Sequence, residues 1–136
     1  MKKSKTKHKN VNKDFIEKES QKINPDDTKK VFRKQKRLKK ILNLKAFSNQ
    51  KEKFRLLLEI LKQYQKGNYK DIPWRSIAAI TFTLLYVINP ADMVPDVIPV
   101  IGYVDDVSVF MGLFKLIEKD IDDYETWKVE ESVVEE

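Results

Sequence analysis

"PWRSIAAITFTLLYVINPA", residues 73–91, is the most apolar stretch of the chain, and from Ser76 to Ala91 it carries no charge over 16 residues. As a helix that run is roughly 24 Å long, at or just under the short limit for crossing a bilayer. Trp74 and Arg75 precede it, as aromatic and snorkelling residues do at a lipid–water boundary. A helix that is apolar on nearly all sides is buried either in lipid or in the middle of a protein. The choice between these two decides the architecture.

Toward the C-terminus the run enters "NPADMVPDVIPVIGYVDD", residues 89–106. Asn89 can cap a short helical turn, with Pro90 in its first position and Asp92 three residues after the cap. Pro95 and Pro99 forbid a long regular helix between 92 and 102, and Gly102 permits a tight turn. From Asp105 or Asp106 the chain reads as a final helix to Lys128, opening with acid as the helix dipole favours. A second crossing is hard to find, because Val107–Phe114 offers only 8 uncharged residues. Lys66, Lys70 and Arg75 lie before the apolar region, Lys115 and Lys119 after it, and no cation within it. A hairpin with both ends cytoplasmic gives that pattern, and so does a buried helix pair, since cores also exclude lysine.

Toward the N-terminus, Asp71 offers a cap for the apolar helix, with Pro73 in its first turn. Before it, Phe54, Leu57, Leu58, Leu61 and Tyr64 or Gln65 recur at helical spacing after a candidate cap at Ser48, and "GN" at 67–68 ends that run. "NPDD" at 24–27 starts an earlier helix: Asn24 caps, Pro25 takes the first position and Asp27 falls three after the cap. This helix is expected to run to about Phe47. Val31, Phe32, Leu38, Ile41, Leu42 and Leu44 form its imperfect apolar stripe, and Lys29, Lys30, Arg33, Lys34, Lys36, Arg37, Lys39 and Lys40 its other face. Such a basic amphipathic helix can lie on anionic lipid with its stripe in the acyl boundary, or pack on the domain with a solvated basic face. Residues 1–23 are lysine-rich and lack helical periodicity, which predicts disorder. The acidic end, 129–136, is expected to fray. The divisions are therefore a 1–23 tail, basic and amphipathic helices over 24–68, an apolar helical domain over 69–128 and the 129–136 tail. With no strand signal, the fold class is all-α: a basic amphipathic helix, then an apolar helical hairpin joined by a Pro/Asp-rich turn.

Composition removes whole classes of chemistry. The 136 residues contain no cysteine, so disulfides and thiolate metal sites are excluded, and the single histidine, His8, sits in the lysine-rich tail. Histidine-based triads and His-rich zinc sites are therefore absent. Residues 1–55 carry a net +14 and residues 56–136 a net −8. That polarity points to an anionic partner for the first part, a membrane surface or nucleic acid. "MKKSKTKHKNVNKDF" leads into no apolar signal core, so the cytoplasmic side is the expected location.

"YKDIPWRSI" and "LLYVINPADMVPDVIPVIGYVDD" give residues 69–119 a resemblance to the YkvA family, a small bacterial domain of unknown function. The family pattern is an apolar helix, a Ser/Asn-Pro-x-Asp turn, Pro-Asp, Ile-Pro, Gly-Tyr and a closing Asp-Asp. Asn89, Pro90, Asp92, Pro95, Asp96, Pro99, Gly102, Asp105 and Asp106 occupy those positions. The resemblance implies membrane segments and carries no established reaction.

Three uses are open for the four aspartates. Asp92 and Asp105 or Asp106 can accept backbone N–H bonds at helix starts, and Asp96 can satisfy amides in the turn. Alternatively Asp92, Asp96, Asp105 and Asp106 hold a divalent cation, for which oxygen-only ligands suit Mg²⁺, Ca²⁺ or Mn²⁺. A carboxylate pair for hydrolysis is the third use, although adjacent residues on a helix point about 100° apart and do not share a proton naturally. The sequence favours a non-enzymatic, membrane-associated protein at the cytoplasmic face, without a cofactor, with Ser76–Ala91 inserted and residues 28–47 on anionic headgroups. The competing expectation is a soluble helical interaction module for a protein or RNA. Phe32 and Phe47 are the only aromatics in the basic helix, so base stacking has little to work with.

Overall fold

A computed structural model of the chain describes residues 13–89 and 106–134. These residues form an all-α fold. Helix α1 covers residues 13–20. It is followed by α2 (Pro25–Arg33), α3 (Gln35–Leu42), a 3₁₀ helix (Lys45–Gln50), α4 (Lys51–Lys66), α5 (Trp74–Ile88), α6 (Asp106–Leu116) and α7 (Glu118–Val134).

Helix α5 is the centre of the molecule. Every residue from Ser76 to Ile88 is buried, and α2, α3, α4 and α6 all contact the helix. Phe15 of α1 closes another side, its ring edge-on to Phe82 at 5.6 Å and to Tyr86 at 5.7 Å. The expectation that Ser76–Ala91 inserts in lipid is thereby corrected. At 15 residues α5 is roughly 22 Å long against a hydrocarbon core of about 30 Å. No described helix is long and apolar enough to cross a membrane. The apolar hairpin itself is present, since α5 and α6 pack together. Phe110 of α6 also stacks on Phe54 of α4 at 4.1 Å between ring centres.

Local signals account for several helix ends. At α2 the capping box is complete: the Asp27 N–H donates to Asn24 Oδ1 at 3.1 Å, and the Asn24 N–H to Asp27 Oδ2 at 2.9 Å. Gly67 ends α4 in the left-handed region at φ 81°, where its N–H and that of Asn68 turn back to carbonyls of the last turn. In α4, Phe54, Leu57 and Leu61 are buried as their spacing requires, and Ile60 joins them.

Elsewhere the structure differs from expectation. The basic helix does not run on to Phe47: it is interrupted at Lys34 and stops at Leu42. Like charges three and four residues apart (Lys30 with Arg33 and Lys34, Arg33 with Lys36 and Arg37) weaken a helix at this place. Ser48 lies inside the 3₁₀ helix, and α4 begins without a side-chain cap. Asp71 does not cap α5. Pro73 holds the cap position, and its carbonyl accepts from the Ser76 and Ile77 N–H groups. Residues 13–20, expected to be disordered, are helical, with Ile16 and Ser20 facing inward and buried. The final helix is interrupted at Ile117 and continues past Lys128 to Val134.

Candidate functional site

Helices α2 and α3 turn one side to α5 and the other to solvent. Val31 and Leu38 are fully buried and Leu42 nearly so. The part of the apolar stripe on α2 and α3 is therefore largely spent within the protein's own core, and Leu44, beyond the end of α3, is its one mostly exposed member. Lys29, Lys30, Arg33, Lys36, Arg37, Lys39 and Lys40 are exposed, and Lys34 is half-buried. Among the described residues none of these eight cations pairs with a carboxylate. The only acids in α2, Asp26 and Asp27, lie in its first turn, where Asp27 is held by the capping box. The result is a largely exposed basic face that no carboxylate among the described residues neutralises, the arrangement that attracts a polyanion.

Carboxylates gather on the last helix. Helix α7 carries seven acids, Glu118, Asp120, Asp122, Asp123, Glu125, Glu130 and Glu131, against Lys119 and Lys128. Two contacts fix it to the body. Tyr124 donates its hydroxyl to Glu59 of α4 at 2.6 Å, and Lys128 Nζ reaches the same carboxylate at 2.9 Å. Burial alone would raise the pKa of Glu59, but the Lys128 and Tyr124 hydrogen bonds outweigh it and hold the carboxyl below its ordinary value. Burial, then the bond to Glu59, pushes the Tyr124 phenol up. The ring of Tyr69 packs edge-on to Tyr124 at 5.1 Å and lies 4.9 Å from Trp127. In the second contact Ser76 donates to Asp120. That carboxylate brings negative charge to the start of α5, which has no side-chain cap of its own.

A cleft of about 460 Å³ opens beside this second contact, between α1, the start of α5 and the α6–α7 junction. Glu17, Trp74, Arg75, Ser76 and Asp120 contribute to its lining. Trp74 and Arg75, read from the sequence as an interfacial pair, thus sit at the rim of a cleft. Asp120, Glu59, Tyr124 and Lys128 were not singled out by sequence. Their partners lie 44, 65 and 69 residues away, so no local pattern marks them.

The motif residues divide. Asn89 ends α5 with an extended backbone (φ −155°, ψ 91°), and its N–H donates to the Leu85 carbonyl at 2.9 Å. Asp106 is the first residue of α6. Pro90, Asp92, Pro95, Asp96, Pro99, Gly102 and Asp105 lie outside the described residues, as does the side chain of Asp106. The capping, turn and cation-binding expectations for the aspartates fall there. Among the described residues no group of three or more His, Cys, Asp or Glu side chains is placed to hold a metal ion.

Comparison with known proteins gives the chain its relatives. Residues 76–112 match the family described as a protein of unknown function, DUF1232. The uncharacterized membrane protein YkvA of Bacillus subtilis (strain 168) is 31% identical over 72 residues, a stretch that covers 53% of this chain and 68% of that protein. No solved structure matches. The matched stretch of the family holds α5, the Pro/Asp-rich segment and the first half of α6, and by this identity and coverage the chain belongs to the YkvA family.

Proposed function

We propose that this protein works at the surface of a membrane on its cytoplasmic side, as a non-enzymatic peripheral protein held by charge. The observation that carries the proposal is the row of eight cations on α2 and α3, exposed or half-exposed and unpaired among the described residues. A Lys or Arg close to an anionic leaflet contributes roughly 1 kcal/mol, so several acting together give useful affinity without a crossing helix. The membrane protein YkvA as a relative supports the location. The acidic helix α7 supports an orientation, because an anionic surface repels it while attracting α2 and α3.

Sedimentation with vesicles of phosphatidylglycerol and of phosphatidylcholine tests this. The expected result is binding to the anionic vesicles alone, reversed by raised salt, since charge-driven contacts are screened. Retention at high salt, or equal binding to both lipids, refutes the charge-held mode.

Nucleic acid offers the same phosphate chemistry, and the burial of the apolar stripe leaves cations as the main feature of this face. The aromatic side chains weigh against it, because Phe47 is buried and Phe32 is partly buried against the core, leaving no stacking platform for bases.

A further inference from the structure

Resting on the membrane reading above, we infer that Leu44 is the point at which this protein enters the lipid. The stripe of α2 and α3 is buried in the core, so an anionic surface meets cations almost everywhere along these helices. Leu44 is the exception. It is 56% exposed, the one large apolar side chain between residues 13 and 73 that is mostly open to solvent. Its surroundings in sequence are cationic: Lys39, Lys40 and Lys45 are all exposed. Val129 and Val133 are more exposed still, but they flank Glu130 and Glu131 on the acidic helix, which an anionic surface repels.

The backbone presents Leu44 as a fixed corner. Helix α3 ends at Leu42 with Asn43 as its cap, and Leu44 then takes an extended conformation (φ −68°, ψ 145°) before the 3₁₀ helix. Both of its backbone polar groups are used: its N–H donates to the Ile41 carbonyl at 3.0 Å, and its carbonyl accepts from Phe47 N–H at 3.0 Å. Binding thus requires little ordering of the backbone at this point, which favours insertion. Isolated exposed leucines are common on protein surfaces. What sets this one apart is an ordered corner within the stretch of chain that carries the unpaired cations. The lysines hold the headgroups and Leu44 reaches the acyl boundary below them, a division of labour that amphipathic surface helices achieve with a whole apolar face.

The chain contains no cysteine, so Leu44→Cys in the full chain takes a single environment-sensitive fluorophore, and Thr126→Cys on the exposed side of α7 is the control. With phosphatidylglycerol vesicles the label at 44 is expected to shift to the blue and to be quenched by spin labels on the acyl chains, while the label at 126 does not respond. Leu44→Ser, without label, is expected to lose about tenfold in vesicle affinity with an unchanged melting temperature. If the labelled protein sediments with the vesicles but the fluorophore at 44 still reports water, the wedge is overturned and binding by cations alone stands. If the wild-type chain stays in solution with these vesicles at low salt, the membrane reading itself fails, and the wedge with it.

Discussion

In α7 the charged groups that face the body are committed to the fold: Asp120 accepts from Ser76, and Lys128 joins Tyr124 on Glu59. In α2 and α3 the eight cations have no such employment among the described residues, and the contacts that seat these helices are apolar or neutral. Val31 and Leu38 are fully buried, and Thr28 shares a hydrogen bond with Thr81 of α5. A charge that stabilises nothing internally, and that repels its neighbours along the helix, is costly to keep. The contrast between the two regions separates charges that build the protein from charges left over for a partner.

Replacing Lys30, Arg33, Arg37 and Lys40 together by Gln gives the largest expected effect. Affinity for anionic vesicles should fall by roughly three powers of ten, at about 1 kcal/mol for each cation removed. Thermal stability should hold or rise slightly, because like-charge pairs three and four residues apart are relieved. Vesicle titration together with a melt reads both. A drop in stability with little change in vesicle affinity would show that these cations belong to the fold, and the contrast with α7 would vanish.

The opposite pattern is expected in α7. Asp120→Ala leaves the buried Ser76 hydroxyl without its acceptor and removes the anion at the start of α5, at a cost of about 2 kcal/mol. Tyr124→Phe costs less, about 1 kcal/mol, because Glu59 keeps Lys128. Urea unfolding measures both. Vesicle binding should be untouched by either substitution.

The pH dependence of stability sharpens the same point. Burial raises the Glu59 pKa, but the Lys128 and Tyr124 hydrogen bonds prevail and hold it below the ordinary carboxylate value. A carboxyl whose folded-state pKa is depressed contributes stability that is complete above its unfolded value and is lost as the pH falls through the folded one. Wild type should therefore lose more stability than Glu59→Gln on acidification from neutral pH through the carboxylate range. Parallel melts of the two proteins across that range check it, and equal losses would remove Glu59 from the account.

What the sequence showed and what it hid follow from the distance between partners. The Asn24–Asp27 box and the Gly67 cap are local, three residues apart or a single left-handed position, and both are present. The all-α class and the apolar hairpin were also legible. Whether α5 lies in lipid or in protein was not, because both environments select the same residues. What settles it is the ring of helices around α5, including α1, which lies within the lysine-rich 1–23 stretch and turns Phe15 and Ile16 inward. The basic face could be read residue by residue, yet its stripe could not be assigned to core or lipid until Val31 and Leu38 were seen against α5. The Glu59–Tyr124–Lys128 and Ser76–Asp120 contacts join residues far apart in sequence and leave no mark that a single chain can show.

The smallest expected effect is also the one whose sign is least intuitive. Thr81 and Thr83 are two residues apart on α5, and both are fully buried. Thr81 Oγ1 lies 3.0 Å from Thr28 Oγ1, whereas Thr83 Oγ1 has no hydrogen-bond partner among the described residues. A buried hydroxyl without a partner carries a desolvation cost that nothing repays, and valine has nearly the same shape without that group. Thr83→Val should therefore stabilise the protein by about 1 kcal/mol, raising the melting temperature by roughly 4 °C. Thr81→Val should act in the other direction by a similar amount, because it strands the Thr28 hydroxyl. The double replacement Thr28→Val with Thr81→Val removes both partners and should recover most of that loss. If Thr83→Val destabilises, the reading of its hydroxyl as an uncompensated buried group fails.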